Sequence, residues 1–253
     1  MSPSREQTPG TGAAVLLAGG RGSRMGNDVP DKILYPIRGR PLFRFAFDAF
    51  ADSAEIRDII VVYRDAAQRD AMLAAAGDSA AARYGRIHWV AGGTERADSV
   101  WAGLEQVPEE ADLVFIHDLA RPLIRTADLT ELARLARREG AVCPVRRITD
   151  TIKQAHPAVS TRSADSGTAH LIGVPREQLR ATETPQVFRR ELIVTGYHRA
   201  RSERLTLSDD TAAVALLHQP VAMLELAHPN PKVTRPEDLD YVAFLLARTE
   251  EAD

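Results

Sequence analysis

Short apolar runs alternate with helical patterns from Ala13 to Val145, and no other feature of the sequence restricts the fold as strongly. The runs are Ala13–Ala18, Asp58–Tyr63, Arg86–Ala91, Asp112–His117 and Gly140–Val145. Each carries apolar side chains at consecutive positions, as expected of a parallel strand covered on both faces. Between them, Pro41–Asp52 opens on proline and sets Leu42, Phe45, Ala46, Ala49 and Phe50 on one helical face. Ala66–Ala76 is alanine-rich and stops at Gly77. Thr94–Gln106 gathers Ala97, Val100, Trp101 and Leu104, and Thr126–Glu139 repeats Leu129, Leu132, Ala133 and Ala136. Strand and helix thus alternate about five times. The pattern predicts an α/β fold: a doubly wound, mostly parallel sheet with right-handed crossovers. Ligands on such sheets sit beyond the carboxyl ends of the strands. Attention therefore falls on the segments after Ala18, Ala91, His117 and Val145.

Regularity breaks from about Thr149 to Glu183. Asp150–Lys153 and Leu171–Val174 fit an outgoing and a returning strand, with an irregular polar stretch from Ala155 to Gly167 between them. This segment is expected to project as a β-arm from a single domain spanning residues 13–253. Helices are expected again at Arg189–Arg204 and Asp209–Leu217, a strand at Val221–Leu226 and a last helix at Pro236–Thr249. Met1–Gly12 is polar, lacks the apolar core of a signal peptide and is read as a disordered tail.

Composition excludes several classes. At 253 residues and 44% hydrophobic content, the chain can bury a sizeable core. A net charge of −3 argues against a nucleic-acid binder, so positive charge should be local. The single cysteine, Cys143, rules out an intrachain disulfide and a multi-cysteine zinc site. No apolar run reaches the roughly 18–20 residues that span a bilayer. A cytoplasmic enzyme with no membrane partner is expected.

The chemistry is concentrated in Leu17-Ala18-Gly19-Gly20-Arg21-Gly22-Ser23-Arg24-Met25-Gly26, where a buried strand runs into four glycines and two arginines. Glycine permits close backbone approach to a ligand, and exposed amides in such turns bind phosphate oxygens. A P-loop is excluded because no Gly-Lys-Ser/Thr follows. A dinucleotide loop requires an acidic residue about 20 positions on, at the end of the second strand. The next clear strand ends near Tyr63, too late for that reading. A nucleotidyltransferase loop, with Arg21, Arg24 and Lys32 facing a triphosphate, suits the residues better. His117 is read as a buried, hydrogen-bonded histidine. Ser208-Asp209-Asp210 is read as a helix cap, and Glu237 and Asp238 as first-turn acids.

This loop, with GGTERADSVWAGL from Gly92, HDLARP from His117, DTIK from Asp150, TPQVF from Thr184 and NPKVTRPEDL from Asn230, resembles the 2-C-methyl-D-erythritol 4-phosphate cytidylyltransferase family. The segments extend from about Val15 to Leu245 in the family's order. The resemblance implies a nucleotide-diphospho-sugar transferase type of fold. It also implies transfer from CTP to methylerythritol phosphate with release of pyrophosphate, in non-mevalonate isoprenoid precursor synthesis.

By position, the resemblance implies catalytic roles for Arg24, Lys32, Lys232 and Arg176. Ala18, Gly19, Gly20, Gly22, Gly93, Thr94, Ser99 and Asp118 would hold the nucleotide. Arg121, Thr151, Arg176, Thr184 and Lys232 would hold the acceptor. It further implies Mg²⁺ carried mainly by the CTP phosphates, with Asp118 or Asp209 as a possible ligand, and a homodimer whose arms cross between subunits. Some family members are fused to a cyclase domain; this sequence stops shortly after its closing helix, and none is expected.

The chain departs from the family pattern in three places. It reads Pro30-Asp31-Lys32 where the family usually has Pro-Lys-Gln, so Asp31 is expected to neutralise part of the adjacent cation. It has Leu119 in place of an alanine, and its arm is longer around Ala158–Gly167. Ribitol-5-phosphate cytidylyltransferase and a catalytically inactive nucleotide-binding regulator remain alternative functions. HDLARP and DTIK favour methylerythritol phosphate over the first, and the presence of Arg24, Lys32 and Lys232 argues against the second.

Overall fold

A computed structural model of the chain describes residues 11–20, 25, 29–76, 86–156 and 170–250. Four parallel strands form half of the central sheet: β1 (Gly12–Leu17), β4 (Ile56–Tyr63), β5 (Arg86–Ala91) and β6 (Leu113–Asp118). Gly12, assigned by sequence to the tail, is the first residue of β1; residues 1–10 lie outside the described set. The small hairpin of β2 (Pro36–Ile37) and β3 (Arg40–Pro41) stands apart and was not legible in the sequence.

The other half departs from the parallel pattern. β11 (Gln186–Arg189) runs antiparallel between β6 and β7 (Ala141–Arg147), and β10 (Arg180–Thr182) pairs antiparallel with β7. β12 (Ala222–Glu225) then lies parallel to β7, giving the order β10-β7-β11-β6-β1-β4-β5 with β12 also on β7. Residues 180–182, assigned by sequence to the arm, are thus part of the central sheet. The arm is a separate antiparallel pair, β8 (Lys153–His156) and β9 (His170–Gly173). Its outgoing strand begins at Lys153, where Asp150 was expected to open it, and residues 157–169 lie outside the described set.

Both faces of the inner strands β1, β4 and β6 are buried, which explains their consecutive apolar runs. Successive strand side chains point to opposite faces. Ala14 and Leu16 of β1 pack on one side with Phe43, Phe47 and Phe50 of α1 (Leu42–Ala51), Met72 of α2 (Ala66–Ala76) and Leu129 and Leu132 of α4 (Thr126–Glu139). Ala13, Val15 and Leu17 pack on the other with Val100 and Leu104 of α3 (Arg96–Leu104), Ile193 and Tyr197 of α5 (Arg190–Ser202) and Ala213 and Val214 of α6 (Asp210–Ala215).

A third cluster decides where the site lies. Val233, with Leu239 and Val242 of α7 (Pro236–Glu250), packs against Met25, Val29, Ile37 and Leu42. This contact carries the C-terminal segment back over the segment that follows the glycine-rich loop. Among the described residues no helix is long and apolar enough to cross a membrane.

Candidate active site

The carboxyl ends of β1, β4, β5 and β6 open into a cleft of about 620 Å³ whose wall includes Gly19, Gly20, Lys32, Gly93, Asp118 and Lys232. Gly92 and Gly93 follow β5 and turn tightly over α3. A Cβ on Gly93 would stand 2.3 Å from Asp98 Cβ, and one on Gly92 would stand 2.8 Å from Ser99 Oγ. Only glycine allows this approach without displacement. The Gly93 N–H donates to Ser99 Oγ at 3.1 Å, and Thr94 and Ser99 also line the cleft.

At the β6 end, Asp118 is held by two cations. Lys232 Nζ donates to Asp118 Oδ2 at 2.5 Å, and Arg96 Nε stands 3.5 Å from Oδ1. Burial favours the neutral acid, yet Arg96 and Lys232 outweigh it and hold the carboxyl far below the usual carboxylate range. Asp118 is therefore a fixed anion. Arg96 in turn makes a bidentate pair with fully buried Asp210, at 2.9 and 2.8 Å, and the Tyr197 hydroxyl donates to Asp210 Oδ1 at 2.6 Å. Burial opposes the Arg96 charge, but Asp210 and Asp118 together raise its pKa.

His117, one residue before Asp118, is fully buried, and burial pushes it down to about 4. Its Nε2 donates to the Arg121 carbonyl at 3.0 Å, and the Thr184 hydroxyl donates to Nδ1 at 3.0 Å. The Thr184 oxygen also accepts the Asp118 N–H at 3.1 Å. This closed set of bonds fixes a neutral imidazole, and His117 is the buried, hydrogen-bonded histidine expected from the sequence. It also places Thr184, expected at the acceptor, inside the protein, where its hydroxyl braces the β6 end.

Lys32 Nζ donates to the Val233 carbonyl at 2.8 Å, so both lysines reach the cleft from adjacent points of one contact. Asp31, expected to neutralise part of the Lys32 charge, has two other partners. Its carboxylate accepts from Gln68 Nε2 at 2.6 Å and faces Arg64 Nη1 at 3.3 Å. A second cavity of about 430 Å³ shares Lys232 and is lined by Arg121, Arg146, Thr182, Glu183 and Asn230 among others. Arg121 Nη1 donates to the Asn230 carbonyl at 2.8 Å. Burial raises the Glu183 pKa, against the lowering effect of Arg121 and Arg146.

Of the expected residues, Gly19, Gly20, Lys32, Gly93, Thr94, Ser99, Asp118 and Lys232 meet at the first cleft, and Arg121 and Lys232 at the second. Ala18 is buried below the first cleft, its N–H donating to the Val62 carbonyl at 2.9 Å. Thr151 and Arg176 line neither cleft. Thr151 is exposed ahead of β8, and Arg176, 46% exposed, donates to the Thr149 carbonyl at 2.5 Å. Arg21, Gly22 and Arg24 lie outside the described residues.

Sequence reasoning gave no role to Arg96, Arg64, Gln68 or Glu183, although Arg96 stands inside the quoted GGTERADS segment. It read Asp209 and Asp210 alike as caps. Asp209 does cap α6, accepting the Ala212 N–H at 3.1 Å, while Asp210 turns inward to Arg96.

The profile of the 2-C-methyl-D-erythritol 4-phosphate cytidylyltransferase family matches residues 13–248. A cytidylyltransferase of that name from Chlamydia abortus is 36% identical over 92% of this chain and 94% of its own length. Another from Desulforamulus reducens is 34% identical over 93% and 95%. The crystal structure of the Thermus thermophilus enzyme of that name superposes with a TM-score of 0.69 at 29% identity, covering 93% of this chain and 98% of that one. A structure of 4-diphosphocytidyl-2C-methyl-D-erythritol synthase from Anaerococcus prevotii shares the fold, with a TM-score of 0.77 at 23% identity and coverage of 94% and 97%. With its glycine-rich strand ends and paired lysines in one cleft, this chain belongs to the 2-C-methyl-D-erythritol 4-phosphate cytidylyltransferase family.

Proposed function

We propose that this chain transfers the cytidylyl group of CTP to 2-C-methyl-D-erythritol 4-phosphate and releases pyrophosphate. The convergence of Lys32, Lys232 and Asp118 at the ends of β1 and β6 carries the reading. An acceptor phosphate oxygen attacks the α-phosphorus, a new P–O–P link forms, and the bond to the β-phosphate breaks. The nucleophile is already anionic, so no general base is needed. Neutral His117, enclosed by its bonds, is not required as one. The barrier is electrostatic, and preorganised cations lower it. Lys32 stands on the glycine side of the cleft, while Lys232 is shared by the two cavities and can face both phosphates.

The Gly92-Gly93 turn with Thr94 and Ser99 offers amides and hydroxyls to the cytosine base. The second cavity, with Arg121 and Asn230, suits the acceptor. Thr151 and Arg176 lie outside both cavities and serve the acceptor from the arm of a partner subunit in a homodimer. Mg²⁺, carried mainly by the CTP phosphates, would neutralise part of their charge. Among the described residues no group of three or more His, Cys, Asp or Glu could hold a metal. Asp118, ionised on the cleft wall, is a carboxylate that would face such a phosphate-borne ion. Asp209, engaged by Ala212, Thr211 and Gln186, lines neither cavity. The enzyme would work in the cytoplasm.

Pyrophosphate release tests this with CTP, Mg²⁺ and either methylerythritol phosphate or ribitol phosphate. Release with the first alone is expected. Release with ribitol phosphate alone overturns the acceptor, and release with neither overturns the catalytic reading.

A further inference from the structure

Gln68 lies in the first turn of α2, yet it is only 2% exposed and sits beneath the wall of the nucleotide cleft. Its Oε1 accepts the Arg64 N–H at 2.7 Å. Its Nε2 donates to the Ala18 carbonyl at 3.3 Å and to Asp31 Oδ2 at 2.6 Å. A primary amide offers an acceptor and two donors, and this one uses both kinds at once. The partners are the residue where β1 enters the glycine-rich loop, the residue that follows β4, and the residue that precedes Lys32. Asp31 Oδ1 accepts the Ile33 N–H at 3.2 Å, closing a tight turn with Lys32 at its centre.

We infer that Gln68 is a positioning residue for Lys32, locking the Asp31 turn to the ends of β1 and β4 and so fixing where the Lys32 ammonium meets the triphosphate. The inference rests on the reading of Lys32 as a cation of the reaction. A lysine stem has many rotamers, and stabilisation of developing charge depends on preorganisation. The Asp31 turn is therefore where aim is set.

The bond pattern admits few substitutes. Asp31→Asn can present an N–H₂ to the Gln68 N–H₂. Turning the Gln68 amide over moves the conflict to the Arg64 N–H and the Ala18 carbonyl. Turning the new Asn instead sets it against the Ile33 N–H. Gln68→Met keeps the bulk and removes every side-chain bond.

The test is steady-state turnover of the full chain with CTP, Mg²⁺ and methylerythritol phosphate, in wild type, Gln68→Met, Lys32→Ala and the double variant. Gln68→Met is expected to lower kcat about tenfold to a hundredfold, the usual scale for a misplaced group. In the Lys32→Ala background the same substitution should change kcat less than twofold. Asp31→Asn, which leaves buried Gln68 itself intact, should repeat the same non-additive pattern with Lys32→Ala. Multiplicative losses in the double variant overturn the inference, because Gln68 would then act independently of Lys32. Wild-type turnover in Lys32→Ala overturns the reading of Lys32 itself, a distinct failure. Normal turnover in Gln68→Met beside a damaged Lys32→Ala overturns only the inference.

Discussion

Lys232 Nζ and Asp118 Oδ2 meet at 2.5 Å although 114 positions separate them in the chain. The pair joins the segment ahead of α7 to the end of β6 and sets one cation on the border of the two cavities. Asp118→Asn would release Lys232 and leave Arg96 with Asp210 alone. We expect kcat to fall by about 10²-fold, the cost of losing one preorganised electrostatic element. Initial-rate kinetics checks this; a change confined to KM would mean that Asp118 only binds ground-state nucleotide.

Lys32→Ala and Arg24→Ala are each expected to reduce turnover by on the order of 10²–10³. Saturating CTP should not restore either. Near-normal kcat in both would remove the glycine-rich loop and its following cation from the catalytic assignment.

Gly93→Ala would bring a methyl group against Asp98 Cβ, which stands 2.3 Å from the new atom. The turn over α3 must open. We expect KM for CTP to rise about tenfold or more, the scale of a lost close contact, with kcat and melting temperature changing much less. A variant with unaltered CTP affinity would show that this turn does not read the nucleotide.

Buried His117 has its pKa lowered from 6.5 to about 4. Between those values the unfolded chain binds the proton and the folded chain does not. Its contribution is thus complete above about pH 6.5 and is lost as pH falls towards 4. The shift corresponds to on the order of 3 kcal/mol. Urea unfolding at pH 7 and pH 4 should show His117→Gln losing less stability on acidification than wild type. Equal losses would mean that the imidazole titrates normally.

Arg176→Ala should weaken use of methylerythritol phosphate far more than CTP binding. If the arm serves a partner subunit, mixing inactive Arg176→Ala and Lys32→Ala proteins should restore part of the activity through hybrid dimers. Mixtures no more active than either parent would place Arg176 in its own subunit's chemistry or outside it.

The parallel half of the sheet was legible because β1, β4 and β6 are buried on both faces, leaving apolar runs that need no partner to be recognised. β11 was not: Gln186–Arg189 is only four residues long and takes its place from the ladders it makes with β6 and β7. The glycine-rich loop and HDLARP likewise announced a phosphate-handling cleft through residue type and order. The sequence could not say which acid each cation meets. Asp31 adjoins Lys32 in the chain but binds Gln68 and Arg64. Asp210 adjoins the cap Asp209 but binds Arg96. Local periodicity and composition therefore determined the layers, the strand ends and the class of ligand. Charge pairing was decided only by tertiary structure, because distance through space, set by how α2, α6 and the segment before α7 pack on the sheet, governs electrostatic interaction.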